Sequence, residues 1–223
     1  MRESTEYAMT DPAEIRALIR ATPWATMVSA TEDGVVVSHY PFLLEEPLPG
    51  ADPDELVLVS HVGRPDERAH RLGESELAVV FQGPHGYVSP SWYGVTRAVP
   101  TWNFAAVHVW GVPELLGDEE NLAVLERLVD HFEDELPEPF RLRISAENAA
   151  YAERIVHGTV GFRLRVTRLE AKEKMSQDKP AEVVDRVTAA LDAPGPYSNP
   201  ALAQRMRRVH AQSPAQPRPE TPQ

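Results

Sequence analysis

Cysteine is missing from all 223 residues, which excludes disulfides and thiolate metal sites and leaves a reducing compartment compatible with the chain. Long apolar runs are missing too. Nowhere do about eighteen apolar residues follow one another, and the amino-terminal Met-Arg-Glu-Ser-Thr-Glu-Tyr has no signal-peptide core, so the sequence reads as soluble and cytoplasmic. Positive charge is scarce: 22 Lys and Arg against 34 Asp and Glu leave a formal charge of -12. That balance repels polyanions and requires any nucleic-acid contact to come from a local patch. The one basic cluster, Arg205, Arg207, Arg208 and His210, lies in a terminus rich in Pro and Gln and reads as solvated. Familiar motifs are lacking as well. No Gly-x-Gly-x-x-Gly follows a strand, and there is no P-loop, Gly-x-Ser-x-Gly or His-Glu-x-x-His, which removes the common nucleotide, hydrolase and zinc-protease readings. The 8 histidines are scattered, so a metal site would have to be assembled across the fold.

What the chain does have is concentrated between Phe81 and Asn103. Tyr87, Trp92, Tyr93 and Trp102 stand there with His85 and the hydroxyls of Ser89 and Ser91. Large aromatic faces gain by being covered, by the core or by a flat ligand. Gly83, Pro84, Gly86, Pro90, Gly94 and Pro100 interrupt the segment too often for a helix or a long strand, so it is predicted as a loop system.

Around it, periodicity supplies the elements. Asp11 and Pro12 open an amphipathic helix on Ile15, Leu18 and Ile19, ending before Pro23. Trp24–Ala30 and Val35–Leu44 form a hairpin about Asp33-Gly34. A polar, proline-rich loop runs over 45–54. Strands follow at 56–61, 77–81, 101–112 and 160–166, with a short helix from Pro65 to Leu72. Leu122, Leu125, Leu128, Val129, Phe132 and Leu136 make one helical stripe within 118–136. Ser145 caps a helix through about His157, with Gly158 placed to end it in a left-handed turn. A last helix covers 180–191. About six strands joined by hairpin-length turns predict a mainly β fold, an antiparallel barrel flanked by helices, and not stacked βαβ units. One domain over 1–192 and a partly disordered tail over 193–223, with room for a short helix at 200–209, is the expected organisation.

Two further concentrations carry chemistry. Ser60 and Arg64, beside His61 and the helical turn opening at Pro65, could hold a phosphate through hydroxyl, backbone N–H and dipole, and Arg64 and Arg68 serve equally well as caps of that turn. Lys172 and Lys174 share one face if a strand continues there, with Ser176 and Gln177 just beyond. Alternating Lys and Glu also suits a solvated strand edge.

At these segments the sequence resembles the PaiB-like FMN-binding negative transcriptional regulators. The matching residues are Phe81-Gln82-Gly83-Pro84-His85 with Tyr87-Val88-Ser89-Pro90-Ser91-Trp92-Tyr93, then Val99-Pro100-Thr101-Trp102-Asn103-Phe104, Val107-His108, and late in the chain Thr167-Arg168-Leu169-Glu170 with Lys172, Lys174, Ser176 and Gln177. Trp24-Ala25-Thr26, Ser38-His39-Tyr40-Pro41 and Ser60-His61 extend the likeness over roughly residues 10 to 190. The resemblance implies an FMN-binding split β-barrel related to pyridoxamine-phosphate oxidases, a homodimer with flavin at the subunit interface, and repression of genes. It places Ser60, His61 and Arg64 near the phosphate or ribityl chain, and Lys174, Ser176 and Gln177 near the phosphate or ring edge. Trp92, Tyr93, Trp102 and Asn103 then wall the isoalloxazine or fix the loop. DNA enters as a partner by family analogy alone, since strong acidity and the lack of a helix-turn-helix argue against direct operator binding. Two other functions stay open at this point: a flavin-dependent oxidoreductase using NADH or NADPH, and a haem-handling barrel with His39, His61, His85 or His108 as axial ligand.

Overall fold

Local chemistry builds the first element as the sequence anticipates. In the computed structural model the Asp11 carboxylate accepts the Ala13 N–H at 2.9 Å, Pro12 fills the first helical position, and Ile15, Leu18 and Ile19 are buried along α1 (Pro12–Ala21). The structure describes residues 5–46, 55–95 and 97–212. The proline-rich loop over 47–54, Thr96 and the tail from 213 onward lie outside the described residues.

In chain order there follow β1 (Trp24–Thr31), β2 (Gly34–Pro41), β3 (Leu43–Leu44), β4 (Val57–Gly63), α2 (Arg64–His70), β5 (Leu77–Val88), β6 (Thr101–Gly111), β7 (Pro113–Leu115), α3 (Asp118–Glu133), α4 (Ala146–Ile155), β8 (Thr159–Arg165), β9 (Arg168–Lys174), α5 (Ala181–Asp192) and α6 (Pro200–Gln212). They make a five-stranded sheet in the order β2-β1-β5-β6-β9 and a four-stranded sheet in the order β3-β4-β8-β7. β1 pairs antiparallel with β2 and β5, and β8 pairs antiparallel with β4 and β7.

The chain divides into two units. The larger comprises 10–81 and 107–170, and the smaller takes 1–9, 82–106 and 171–223. In the larger unit Phe42 packs edge-on against Phe81 of β5 and Phe162 of β8, at 6.0 and 5.8 Å between centroids. All three rings are fully buried, each worth about 1.5–3 kcal/mol against exposure. The chain changes sheets between β8 and β9: Val166 N–H donates to Leu56 O, and Thr167 N–H donates to Trp110 O of β6, each at 2.9 Å. Gly111 sits at the corner between β6 and β7, where a Cβ would lie 2.3 Å from Arg165 O. Only glycine allows that approach. Buried His70, at the end of α2, ties the hairpin down with Nδ1 2.9 Å from Ser29 Oγ of β1 and Nε2 3.0 Å from Ser38 Oγ of β2.

In the smaller unit α5 and α6 lie against each other, with Val183, Val184, Val187 and Leu191 buried on one and Leu202, Ala203, Met206 and Val209 on the other.

The structure corrects three expectations. The segment after Phe81 is strand as far as Val88, not loop. Its pairing with β1 stops at Val80, so Pro84 falls where no β1 carbonyl needs its missing N–H. Gly158 is not left-handed, because a 3₁₀ turn over Val156–Gly158 ends the helix instead. Arg205, read as part of a solvated basic terminus, is buried in α6.

Candidate functional site

Ser60, His61 and Arg64 fall in the larger unit. Trp92, Tyr93, Trp102, Asn103, Lys174, Ser176 and Gln177 fall in the smaller one.

In the larger unit β4 carries Ser60 and His61. Ser60 is fully buried and its hydroxyl donates to Pro41 O at 2.7 Å, an arrangement that closes the turn out of β2. His61 is different: its Nδ1 is buried without a hydrogen-bond partner. An orphaned buried polar atom costs about 1–3 kcal/mol and calls for a partner. Burial also pushes the His61 imidazole below its ordinary pKa and keeps it neutral. The Tyr40 ring lies 6.3 Å from the His61 ring, and its hydroxyl accepts the Gly63 N–H at 3.4 Å and donates to Asp66. Burial, then this carboxylate, raise the Tyr40 pKa. Arg64 donates to His157 O at 3.2 Å and pairs with Glu67 at 3.4 Å. Asp66 and Glu67 already complement the start of α2.

In the smaller unit alternation along β6 sorts the candidates. Trp102 projects from one face, Thr101 and Asn103 from the other. Asn103 is fully buried: its Nδ2 donates to Ser176 Oγ at 2.9 Å and contacts Met206 Sδ at 3.4 Å. Ser176 holds a left-handed backbone, φ 63°, costly for a residue with a side chain and stabilised by that amide. Gln177 closes the same turn, accepting Met175 N–H at 2.6 Å and donating to Glu173 O at 2.8 Å. Lys174 donates to Thr101 Oγ1, and the Lys172 and Lys174 ammoniums lie 6.0 and 5.9 Å from the Tyr7 ring centroid, so the two lysines share a face as the strand pattern anticipates. Tyr93 is buried, and burial raises its pKa.

On the Trp102 face the aromatic rings form a chain. Trp92 meets Tyr197 at 6.2 Å, Tyr197 meets Tyr87 at 5.3 Å, and Tyr87 meets Trp102 at 6.3 Å. Trp102 remains 58% exposed and Tyr197 52%.

Sequence reasoning missed the residues that hold this surface from behind. Arg186 of α5 donates to Tyr93 O, Asn199 Nδ2 donates to His85 O at 2.9 Å, Arg205 of α6 pairs with Glu173 at 2.7 Å, and His210 Nε2 lies 3.1 Å from Met175 O. The signal was present in Leu202, Met206 and Val209, spaced as one helical stripe, within a segment dominated compositionally by Pro and Gln.

A flavin needs a flat apolar wall, polar partners at the ring edge and a cation for the phosphate. Each unit holds part of such a donor set: in the smaller, Trp102 and Tyr197 are exposed flat faces and Lys172 and Lys174 are cations; in the larger, Arg64 is a cation and the orphaned Nδ1 of His61 has hydrogen-bonding capacity unmet. Of the histidines weighed as haem ligands, His39 stacks on Trp24 at 6.5 Å, His85 Nδ1 lies 3.1 Å from Gly83 O, and His108 sits 6.0 Å from Trp110 with its pKa lowered by burial. Among the described residues no group of three His, Asp or Glu could hold a metal ion, and no helix is long and apolar enough to cross a membrane.

Comparison with known proteins agrees. Residues 1–168 match a family model described as "Putative FMN-binding domain". The chain is 28% identical over 175 residues to the "Protease synthase and sporulation protein PAI 2" of Bacillus subtilis, covering 78% of this chain and 80% of that protein. Among solved structures it is similar to the FAD and heme binding protein from Mycobacterium smegmatis, with TM-score 0.56, 16% identity, and 82% and 80% of the two chains covered. The flavocytochrome Anf3 from Azotobacter vinelandii superposes with TM-score 0.53 and 16% identity over 75% of this chain and 69% of that one. The family match stops short of Lys174, Ser176, Gln177, α5 and α6. The antiparallel sheets share their fold with these structures, and with residues 1–168 matched the chain belongs to the "Putative FMN-binding domain" family.

Proposed function

We propose that this chain binds FMN as a homodimer, with the flavin at the subunit interface, and acts in negative regulation of transcription as PaiB-like proteins do. The observation that carries the interface is the alternation along β6: Trp102 lies on one face, and Thr101, which receives Lys174, on the other. A flavin that stacks on Trp102 and places its phosphate by Lys174 draws the two from different copies. Bound flavin supplies one- and two-electron redox chemistry. The chain's own residues orient it: Trp92, Trp102 and the loop held by buried Tyr93 wall the ring, and Asn103 and Ser176 fix the turn that presents Lys174 and Gln177; Ser60, His61 and Arg64 form a separate polar group in the larger unit.

Regulation goes through a partner protein in this reading. The net charge of -12 opposes DNA, and two of the three arginines of α6 pair within the chain, Arg205 with Glu173 and Arg207 with Asp192. A cytoplasmic location accords with a cysteine-free chain.

Adding FMN at about a hundred times its dissociation constant raises stability by about 2.7 kcal/mol, and Trp102→Ala and Lys174→Ala each weaken binding. Mixing equal amounts of the two variants under exchange restores tight binding at about a quarter of the native stoichiometry, because half of the dimers are heterodimers and each rebuilds one of its two sites. Failure of FMN to shift the melting curve overturns flavin binding, and failure of mixing to restore it overturns the shared site. Bound FMN that NADH or NADPH reduces, with turnover of a small acceptor, replaces the regulatory reading by the oxidoreductase one.

A further inference from the structure

We infer that Tyr197, in the connector between α5 and α6, is a ring-contact residue of the flavin site, an inference that rests on the flavin reading above. Tyr197 lies beyond the segment matched to the family, which ends at 168. It is nevertheless built into the aromatic surface of the smaller unit. Its ring sits 5.3 Å from Tyr87 and 6.2 Å from Trp92, tilted 43° to the former, while half of its surface stays open. A tyrosine that needed only to pack would be covered, and one that belonged to a solvated tail would meet no rings. With Trp102 it forms the pair of exposed faces that both reach Tyr87.

The connector is held so that this ring stays in place. Asn199 N–H donates to Leu191 O at 2.7 Å, its Nδ2 donates to His85 O at 2.9 Å, and its Oδ1 accepts the Leu202 N–H at 3.1 Å. One residue therefore ties the end of α5 through its main chain and strand β5 and the first turn of α6 through its side chain, two residues after Tyr197. The approach of β5 is close: a Cβ at Gly86 would lie 3.0 Å from Leu202 Cδ2 and 3.2 Å from Asn199 Nδ2. At the far side Gly94, with φ +66°, leaves room for the Arg186 guanidinium that holds Tyr93 O. These contacts fix the connector's backbone and leave the Tyr197 ring facing outward, the arrangement of a preorganised wall for a flat ligand.

The test uses the full chain, with FMN and riboflavin as probes and flavin fluorescence as readout. Tyr197→Leu keeps apolar bulk against Trp92 and Tyr87 but removes the flat face, and it weakens both flavins by the same factor, about tenfold. Tyr197→Phe keeps native affinity and native quenching of flavin fluorescence. Native affinity and quenching in Tyr197→Leu overturn the inference, as does a loss for FMN without a loss for riboflavin, which would place the residue at the phosphate end. A native chain that binds neither flavin ends the flavin reading and this inference together. A native chain sensitive to Trp102→Ala and indifferent to Tyr197→Leu ends this inference alone.

Discussion

Removing the Arg205 guanidinium tests whether the C-terminal helix belongs to the folded core. Arg205 and Glu173 meet at 2.7 Å with side chains only 9% and 13% exposed, and the guanidinium also contacts Met9 Sδ at 3.9 Å. Arg205→Met leaves the Glu173 carboxylate in a site with little water. Breaking a buried pair from one side costs about 3–5 kcal/mol. At this chain length each kcal/mol is worth about 2–4 °C, so the melting temperature falls by about 6–20 °C. Glu173→Met has a similar effect. The double variant recovers most of the loss, because two thioether side chains fill the space without a charge to desolvate. Thermal unfolding followed by circular dichroism, on the two single variants and the double one, measures the coupling directly. Single-variant losses below about 1 kcal/mol, the value of a surface ion pair, with additive effects in the double variant, would refute the burial argument.

Stability depends on pH through three imidazoles. Burial lowers the pKa of His61, His70 and His108 from 6.5, so below about pH 6.5 the unfolded chain binds more protons than the folded one. Their contribution is complete above that pH and falls as the medium is acidified, so urea midpoints drop from about pH 7.5 to about pH 5.5, and less steeply in His70→Gln. A midpoint that rises over this range contradicts the assignment. Gly111→Ala, whose Cβ would meet Arg165 O at 2.3 Å, destabilises by at least about 1–3 kcal/mol. Gly86→Ala, with contacts at 3.0 and 3.2 Å, costs less because Leu202 can shift, and equal losses for the two variants would show that β8 yields as readily as a side chain. Phe42→Ala, which vacates the space between Phe81 and Phe162, costs about 3–5 kcal/mol by chemical denaturation.

Short-range chemistry was legible residue by residue. Asp11 and Ser145 cap helices because their side chains reach N–H groups two or three positions on, a relation the sequence states outright. The stripe through Leu122, Leu125 and Leu128 and the alternation from Val160 to Val166 report their elements for the same reason: periodicity is a local property. Where the text misled, the decisive partner was distant. Pro84 looked like a strand breaker because nothing local shows that β1 stops pairing at Val80.

The candidate site divides along the same line. Composition alone marked the aromatic segment from Phe81 to Asn103 and the lysines near residue 174, since aromatic faces and ammonium groups carry their chemistry wherever they are placed. Only tertiary structure assigned them neighbours. It set Trp102 opposite Asn103 across β6, left Trp102 open and enclosed Asn103 with Ser176 and Met206. It brought Tyr197 onto Tyr87 across more than a hundred residues of chain and buried Arg205 against Glu173. Sequence determined which side chains exist and how each short stretch folds. Tertiary packing decided which of them stay open and which are enclosed, because exposure and partnership depend on contacts between segments whose spacing along the chain carries no trace of their separation in space.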